Sequence, residues 1–143
     1  MMHMIKLCVG VATLAELESY REERAHWWGA DYGENIHVHR TRTMPKRAAE
    51  IIAGGSIYWV ISGVVRARQR VLRLAAAIDS QGIGCCDIIM SPELVRVTPR
   101  PKAPFQGWRY LDPKDAPADL ASAGFAEDGD TTLAEELAKL GLI

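Results

Sequence analysis

Cysteine is scarce in this sequence: three residues in 143, an odd number, two of them adjacent at Cys85 and Cys86. That excludes the disulfide framework of a small secreted domain and makes a reducing cytoplasm the expected location. Long apolar runs are missing as well. The runs at 5–11 and 57–61 fall far short of the about 20 residues a membrane-spanning helix needs, so no membrane partner is expected. The opening MMHMIKLCVGVAT has no basic region followed by a signal-length apolar core, and it reads as a first strand rather than a targeting segment. Catalytic and cofactor signatures are absent too. Gly54 and Gly55 lie neither in a GxGxxG pattern nor before Gly-Lys-Ser/Thr, so they form no phosphate loop, and a helix stop is the simpler use for them. Cys85-Cys86 lacks the two-residue spacer of a redox pair and reads as packing in an apolar strand. No cofactor is expected.

What is present suits an ordinary globular chain. Its 48% hydrophobic and 24% charged content can build one core, and 143 residues match one domain. No internal repeat or domain-sized linker divides it. The expectation is a single α+β domain over 1–143, with a small mixed or barrel-like sheet and peripheral helices. Its core would span about 3–120, followed by an acidic, helix-leaning tail over 121–143, in which 132–140 carries the clearest helical pattern.

Taken in order, 3–11 suits a buried strand. Thr13-Leu-Ala-Glu16 is a capping box, in which the Thr13 hydroxyl meets the Glu16 N–H and the Glu16 carboxylate reaches back. The helix it opens is expected to run to about Trp28 and stop at Gly29, with Leu14, Leu17, Tyr20 and Trp27 on its inner side. Residues 36–42 alternate like a strand. Residues 44–53 read as a short helix with Pro45 at its first position and one of Gly54 and Gly55 in the left-handed cap conformation. SIYWVIS, 56–62, is the strongest strand signal. Residues 64–74 fit a strand after a Gly63 turn, although Val64, Ala67, Val71 and Leu74 also have helical spacing. Strands at 84–90 and 94–98 follow, then an extended proline-rich segment over 99–104 and an aromatic patch or strand over 105–111.

Charge is unevenly placed. Between Arg40 and Arg109 there are twelve Lys/Arg and four Asp/Glu, an excess of eight, while the flanks hold five basic and fourteen acidic residues. A basic middle between acidic ends implies either one positive face for a phosphate-rich partner or internal neutralisation. On a strand, Arg66, Arg68 and Arg70 would share a face at a spacing of about 6.6–7 Å, near that of successive phosphates along one nucleic-acid strand. Arg40, Arg42, Lys46, Arg47 and Arg109 would add phosphate contacts, and Tyr58 and Trp108 are the candidate base-stacking rings. RNA or single-stranded nucleic-acid binding is therefore the first functional expectation. Trp59, among Ile57, Val60 and Ile61, reads as core rather than platform.

His37 and His39 would lie on one face of a strand. Two imidazoles are not a metal site, and no spacing identifies a third ligand among His3, His26, Cys85, Cys86 or a carboxylate. The same pair could act as acid and base in phosphodiester or nucleotide hydrolysis, with Lys46 or Arg40 stabilising the developing charge. A third class is a protein adaptor docking through 105–110, and a homo-oligomer is equally compatible with the chain.

Four stretches carry a resemblance: HRTRTMPKRA from His39, IAGGSIYWVI from Ile52, ARQRVL from Ala67 and PFQGWRYLDP from Pro104. They resemble a bacterial family, domain of unknown function 1489, over about 5–120, with the last twenty-odd residues outside the shared pattern. The resemblance implies no activity. A second likeness, of Lys46 to Val60, is to the PUA-like superfamily with its ASCH branch: small β-barrels in which a short helix with an early Lys and a Gly stop precedes a strand. It implies RNA or modified-base binding, with nucleases and deacylating enzymes among its members. The Glu-x-Arg usual after the glycines is replaced here by Tyr58-Trp59-Val60, which speaks against ASCH-type catalysis.

Overall fold

A computed structural model describes residues 1–121 of the chain; the tail expected to be helical over 132–140 lies outside the described residues. Seven strands form one mixed, unclosed sheet: β1 (His3–Leu7), β2 (His37–Thr41), β3 (Ser56–Ile61), β4 (Val64–Ile78), β5 (Gly84–Met90), β6 (Val95–Pro101) and β7 (Trp108–Leu111). The spatial order is β2-β5-β4-β3-β1-β7, with β6 beside β4. β1 runs parallel to β3 and every other pairing is antiparallel. The α+β architecture with a mixed sheet and peripheral helices is thus the one expected. Among the described residues no helix is long and apolar enough to cross a membrane.

β4 is the spine of the sheet. Its first half pairs with β3 on one edge and β6 on the other, and its second half pairs with β5. The alternation of Arg66, Arg68 and Arg70 with Ala67, Gln69 and Val71 resolves as strand, because the second set is fully buried. Register shifts after Trp59, Val65 and Val71 increase the local twist and let one 15-residue strand serve three neighbours.

Helix α1 (Leu14–Ala25) packs over one face of the sheet. Thr13 caps it, its Oγ1 accepting from the Glu16 N–H at 3.2 Å, but the Glu16 carboxylate accepts from Ala12 N rather than from Thr13 N. The buried side of α1 is Leu14, Leu17 and Arg21, not the expected side with Tyr20 and Trp27, both of which are exposed. Leu14, Leu17 and Arg21 have spacings of three and four, so the arginine occupies an apolar-stripe position. Nor does the helix stop at Gly29. Gly29 keeps helical angles, and after a 3₁₀ turn at His26–Trp28 the chain continues as α2 (Gly29–Tyr32) until Gly33, whose φ of 91° supplies the left-handed stop.

The second expected helix is shorter than 44–53: α3 is Ala48–Ile52, and Lys46 and Arg47 lie in the turn before it. Gly54 takes the left-handed conformation (φ 122°). Gly55 is required for another reason. A Cβ there would sit 2.1 Å from Met2 O and 2.6 Å from Ile51 O, so the entry to β1 could not pass so close to a larger residue. Strand β1 ends at Leu7, short of 11, and β6 extends into the proline-rich segment as far as Pro101. Two apolar clusters flank the sheet. Met4, Leu17, Ile51, Trp59, Ile88 and Met90 belong to the one under α1 and α3, and Ile5, Tyr58, Val60, Val65, Val97 and Phe105 form the other.

Candidate functional site

The basic residues between Arg40 and Arg109 do not converge on one face. Among the described residues, Arg40 pairs with Asp87, Arg42 with Asp79, Arg47 with Glu50 and Arg68 with Asp119. Arg70 instead donates to Gly55 O at 2.9 Å, Val71 O at 3.1 Å and Ile52 O at 3.2 Å, closing the carbonyl end of α3. Arg66 is half-buried on the same face of β4. Tyr58 is 4% exposed, its ring edge-on to His3 at 5.1 Å, so it offers no free face for stacking. Arg109 lies over the Phe105 ring on the opposite side of β7 from Trp108 and Tyr110.

A smaller group does come together. Trp108 Nε1 donates to Thr43 O at 2.8 Å, and the Arg47 N–H donates to Tyr110 Oη at 3.0 Å. These two bonds bring β7 against the segment that joins β2 to α3, which sequence separation of more than sixty residues hid. Trp108 and Tyr110 meet edge-to-face at 4.9 Å, and the Arg47 guanidinium lies 5.6 Å from the Tyr110 ring centre. Beside this seam a cleft of about 330 Å³ is lined by Lys6, Arg40, Arg42 and Gly107, with Asp79 and Cys85. Lys46 is exposed at its edge of the segment, next to Arg47.

His37 and His39 share a face of β2 as expected, but they point into the protein. His37 Nδ1 is 3.0 Å from Gln69 Nε2, which also donates to Ser91 O at 2.9 Å, while Gln69 Oε1 accepts from Trp59 Nε1 at 3.0 Å. His39 Nδ1 is 3.1 Å from Arg21 Nη2, and its ring meets Trp59 edge-on at 5.3 Å. Burial first, and the Arg21 charge second, hold His37 down to about 4 and His39 down to about 3, so both are neutral at pH 7. Among the described residues no hydrogen bond or ion pair joins Lys46 to either histidine, and no group of three or more His, Cys, Asp and Glu could hold a metal ion. His37 is buried and His39 half-buried, while Lys46 is exposed.

The residue that sequence reasoning missed is Arg21. It is 5% exposed; its Nη1 donates to Val38 O at 3.1 Å, and its guanidinium lies 5.0 Å from the Trp59 ring centre. Together with Lys6, Cys8, Leu17, His39 and Trp59 it lines a cavity of about 200 Å³ beneath α1. The available signal was its place on the Leu14–Leu17 stripe.

The match to a family model for "Protein of unknown function (DUF1489)" extends over residues 4–143. The chain belongs to this family. The match includes the acidic tail, so the last twenty-odd residues are part of the shared pattern rather than outside it. Comparison with curated proteins and with solved structures finds no match. The PUA-like likeness accordingly rests on its sequence pattern alone.

Proposed function

We infer that this DUF1489 protein binds single-stranded nucleic acid, RNA first, along the seam between β7 and the segment joining β2 to α3. The observation that carries this reading is the pair of bonds from Trp108 to Thr43 and from Arg47 to Tyr110, which put two aromatic rings beside a cluster of cations. Lys6, Arg40 and Arg42 line the adjoining cleft, and Lys46 and Arg47 are exposed farther along the same segment. Arg42 and Arg47 hold acids through pairs that solvent screens, so a phosphate can replace those partners. Guanidinium groups then track the backbone while Tyr110 and Trp108 offer faces or edges to unpaired bases, a sequence-tolerant mode. Arg68 and Arg70 of β4 take no part, since they are committed to Asp119 and to backbone carbonyls.

The test is fluorescence anisotropy of labelled RNA and single-stranded DNA across a salt series, with protein freed of copurifying nucleic acid. Log affinity should fall linearly with log salt, and Arg42→Ala and Lys46→Ala should each reduce the slope by about one. Arg109→Ala, on the other face of β7, should leave it unchanged. Absence of salt-dependent binding, or a slope altered by Arg109→Ala and not by Arg42→Ala and Lys46→Ala, overturns the reading.

A further inference from the structure

We propose that the cavity beneath α1 is a binding site for a small organic oxyanion, one with a compact apolar body, gripped by Arg21 and His39. Arg21 and His39 take no part in the nucleic-acid seam, although Lys6 borders both clefts, and the site stands without that seam.

Arg21 sits on the apolar stripe of α1, 5% exposed, and among the described residues no carboxylate pairs with it. Desolvating a cation without a counter-ion is unfavourable. The Trp59 ring at 5.0 Å offsets only part of that. A leucine or methionine at this helical position would pack against Leu17 and Trp59 without any such cost. Burial also holds the guanidinium below its ordinary pKa, as it does for the ammonium of Lys6 at the same cavity.

The hydrogen-bond inventory says what the missing partner is. Arg21 has only donors, so the His39 Nδ1 that faces its Nη2 must accept, and the ring proton of the neutral imidazole is on Nε2. Among the described residues that Nε2–H is buried with no partner, and so is the Nε–H of Arg21. Two unsatisfied N–H donors beside one cation lack an acceptor of negative charge, and such orphans are rare in native proteins. An oxyanion entering beside Arg21 neutralises the guanidinium, and a small opening of the side chains that enclose the two N–H groups lets its oxygens accept from them.

The walls describe the rest of the ligand. Leu7, Val9, Val11 and Leu17 line the cavity, together with the Trp59 ring. Its volume of about 200 Å³ lies below the ~300 Å³ at which typical ligand pockets begin, which suits a compact organic acid. Carboxylates and phosphate monoesters both present the required oxygens, and the experiment separates them.

His39 of ¹⁵N-histidine-labelled protein is observed by long-range proton–nitrogen correlation while inorganic phosphate, butyrate or benzoate is added, with sodium chloride as the ionic-strength control. The free protein should show the Nε2–H tautomer. At least one oxyanion should then shift the His39 signals saturably, with a Kd at or below about 1 mM. Response to butyrate or benzoate but not phosphate assigns a carboxylate, and response to phosphate assigns a phosphate monoester. Arg21→Gln should weaken binding about tenfold or more. Should that variant not fold, Val11→Phe, which fills the cavity from its wall, must abolish the shift. No saturable shift in the wild type, an equal shift with chloride, or binding unaffected in a folded Arg21→Gln or Val11→Phe variant overturns the proposal.

Discussion

Arg40 and Asp87 form a two-pronged pair across neighbouring strands, Nε to Oδ1 at 2.6 Å and Nη2 to Oδ2 at 2.9 Å, with Tyr32 Oη donating to the same Oδ2 at 2.5 Å. The arginine side chain is 36% exposed and the aspartate side chain is fully enclosed. One exposed cation thus supports a buried carboxylate and, through Tyr32, ties α2 to the sheet.

Removing the cation should therefore hurt more than removing an ordinary surface charge. Arg40→Ala leaves Asp87 enclosed with only Tyr32 as partner, and the expected loss is about 2–3 kcal/mol. That is below the ~3–5 kcal/mol of a fully buried pair because solvent screens the exposed arginine. Burial alone pushes the Asp87 carboxyl up, but the bonds from Arg40 and Tyr32 outweigh it and hold the group below its usual pKa. The folded state then binds that proton later than the unfolded chain, so the stabilisation is complete above the ordinary aspartate pKa of about 3.9 and is lost as pH falls through the lower folded value. Urea melts of the wild type and Arg40→Ala at pH 7 and pH 3 should differ most at pH 7.

The two inward histidines predict a different window. His37 titrates at about 4 and His39 at about 3 in the folded protein, against about 6.5 in an unfolded chain. Between these values the unfolded state binds more protons, so stability is full above about pH 6.5 and falls on acidification toward pH 4. Each histidine contributes a slope approaching about 1.4 kcal/mol per pH unit. Thermal melts from pH 7.5 to pH 5 should show a steady drop in Tm. A folded His39→Gln variant should show a smaller slope, with His37 and the buried His3, also held below its ordinary pKa by burial, supplying the rest; an unchanged slope would assign the acid sensitivity elsewhere.

Gly55 offers a test of the close approach between α3 and β1. In Gly55→Ala the new methyl meets backbone oxygens of Met2 and Ile51, neither of which can swing away like a side chain. The expected cost is about 3 kcal/mol, at the upper end of ordinary single substitutions. Gly54→Ala meets only the flexible Met1 side chain and pays chiefly for its left-handed backbone, about 1–2 kcal/mol. Chemical denaturation that ranks Gly54→Ala as the costlier change would contradict the geometry.

The fold was legible where local signals agreed. SIYWVIS combined β-branched and aromatic residues, and it forms β3, buried at all six positions from Ser56 to Ile61. Thr13 was recognisable as a cap because its hydroxyl acts within one turn. The limits of α1 were less so, since Gly29 and Gly33 are alike in sequence and only the latter adopts a positive φ. The candidate site was legible in composition and not in arrangement. Arg68 reads the same whether it faces solvent or Asp119, a residue 51 positions away. The meeting of Trp108 with Thr43, 65 positions apart, likewise depends on how the sheet curls rather than on either segment. Arg21 was missed because charge on a helix is habitually assigned to the outer face.

Gln69 is the clearest case in which a polar side chain inside the core should be irreplaceable. It is fully buried on the face of β4 that bears Ala67 and Val71, and it accepts from Trp59 Nε1 while donating to His37 Nδ1 and Ser91 O. Gln69→Leu preserves shape and apolar contact but strands an indole N–H, an imidazole nitrogen and a backbone carbonyl at once. Each buried orphan costs about 1–3 kcal/mol, partly relieved by small shifts, so a loss of about 3–4 kcal/mol is expected by urea denaturation. Gln69→Glu separates the two sides of the amide. A carboxylate can still accept from Trp59, and His37 can turn an Nδ1–H toward it, but Ser91 O is met only when the carboxyl carries a proton, which makes this variant recover stability as pH is lowered below neutrality. That trend runs opposite to the wild type, whose histidines lose stability over the same range, and a crossing of the two pH profiles would identify Gln69 as the link between Trp59 and His37.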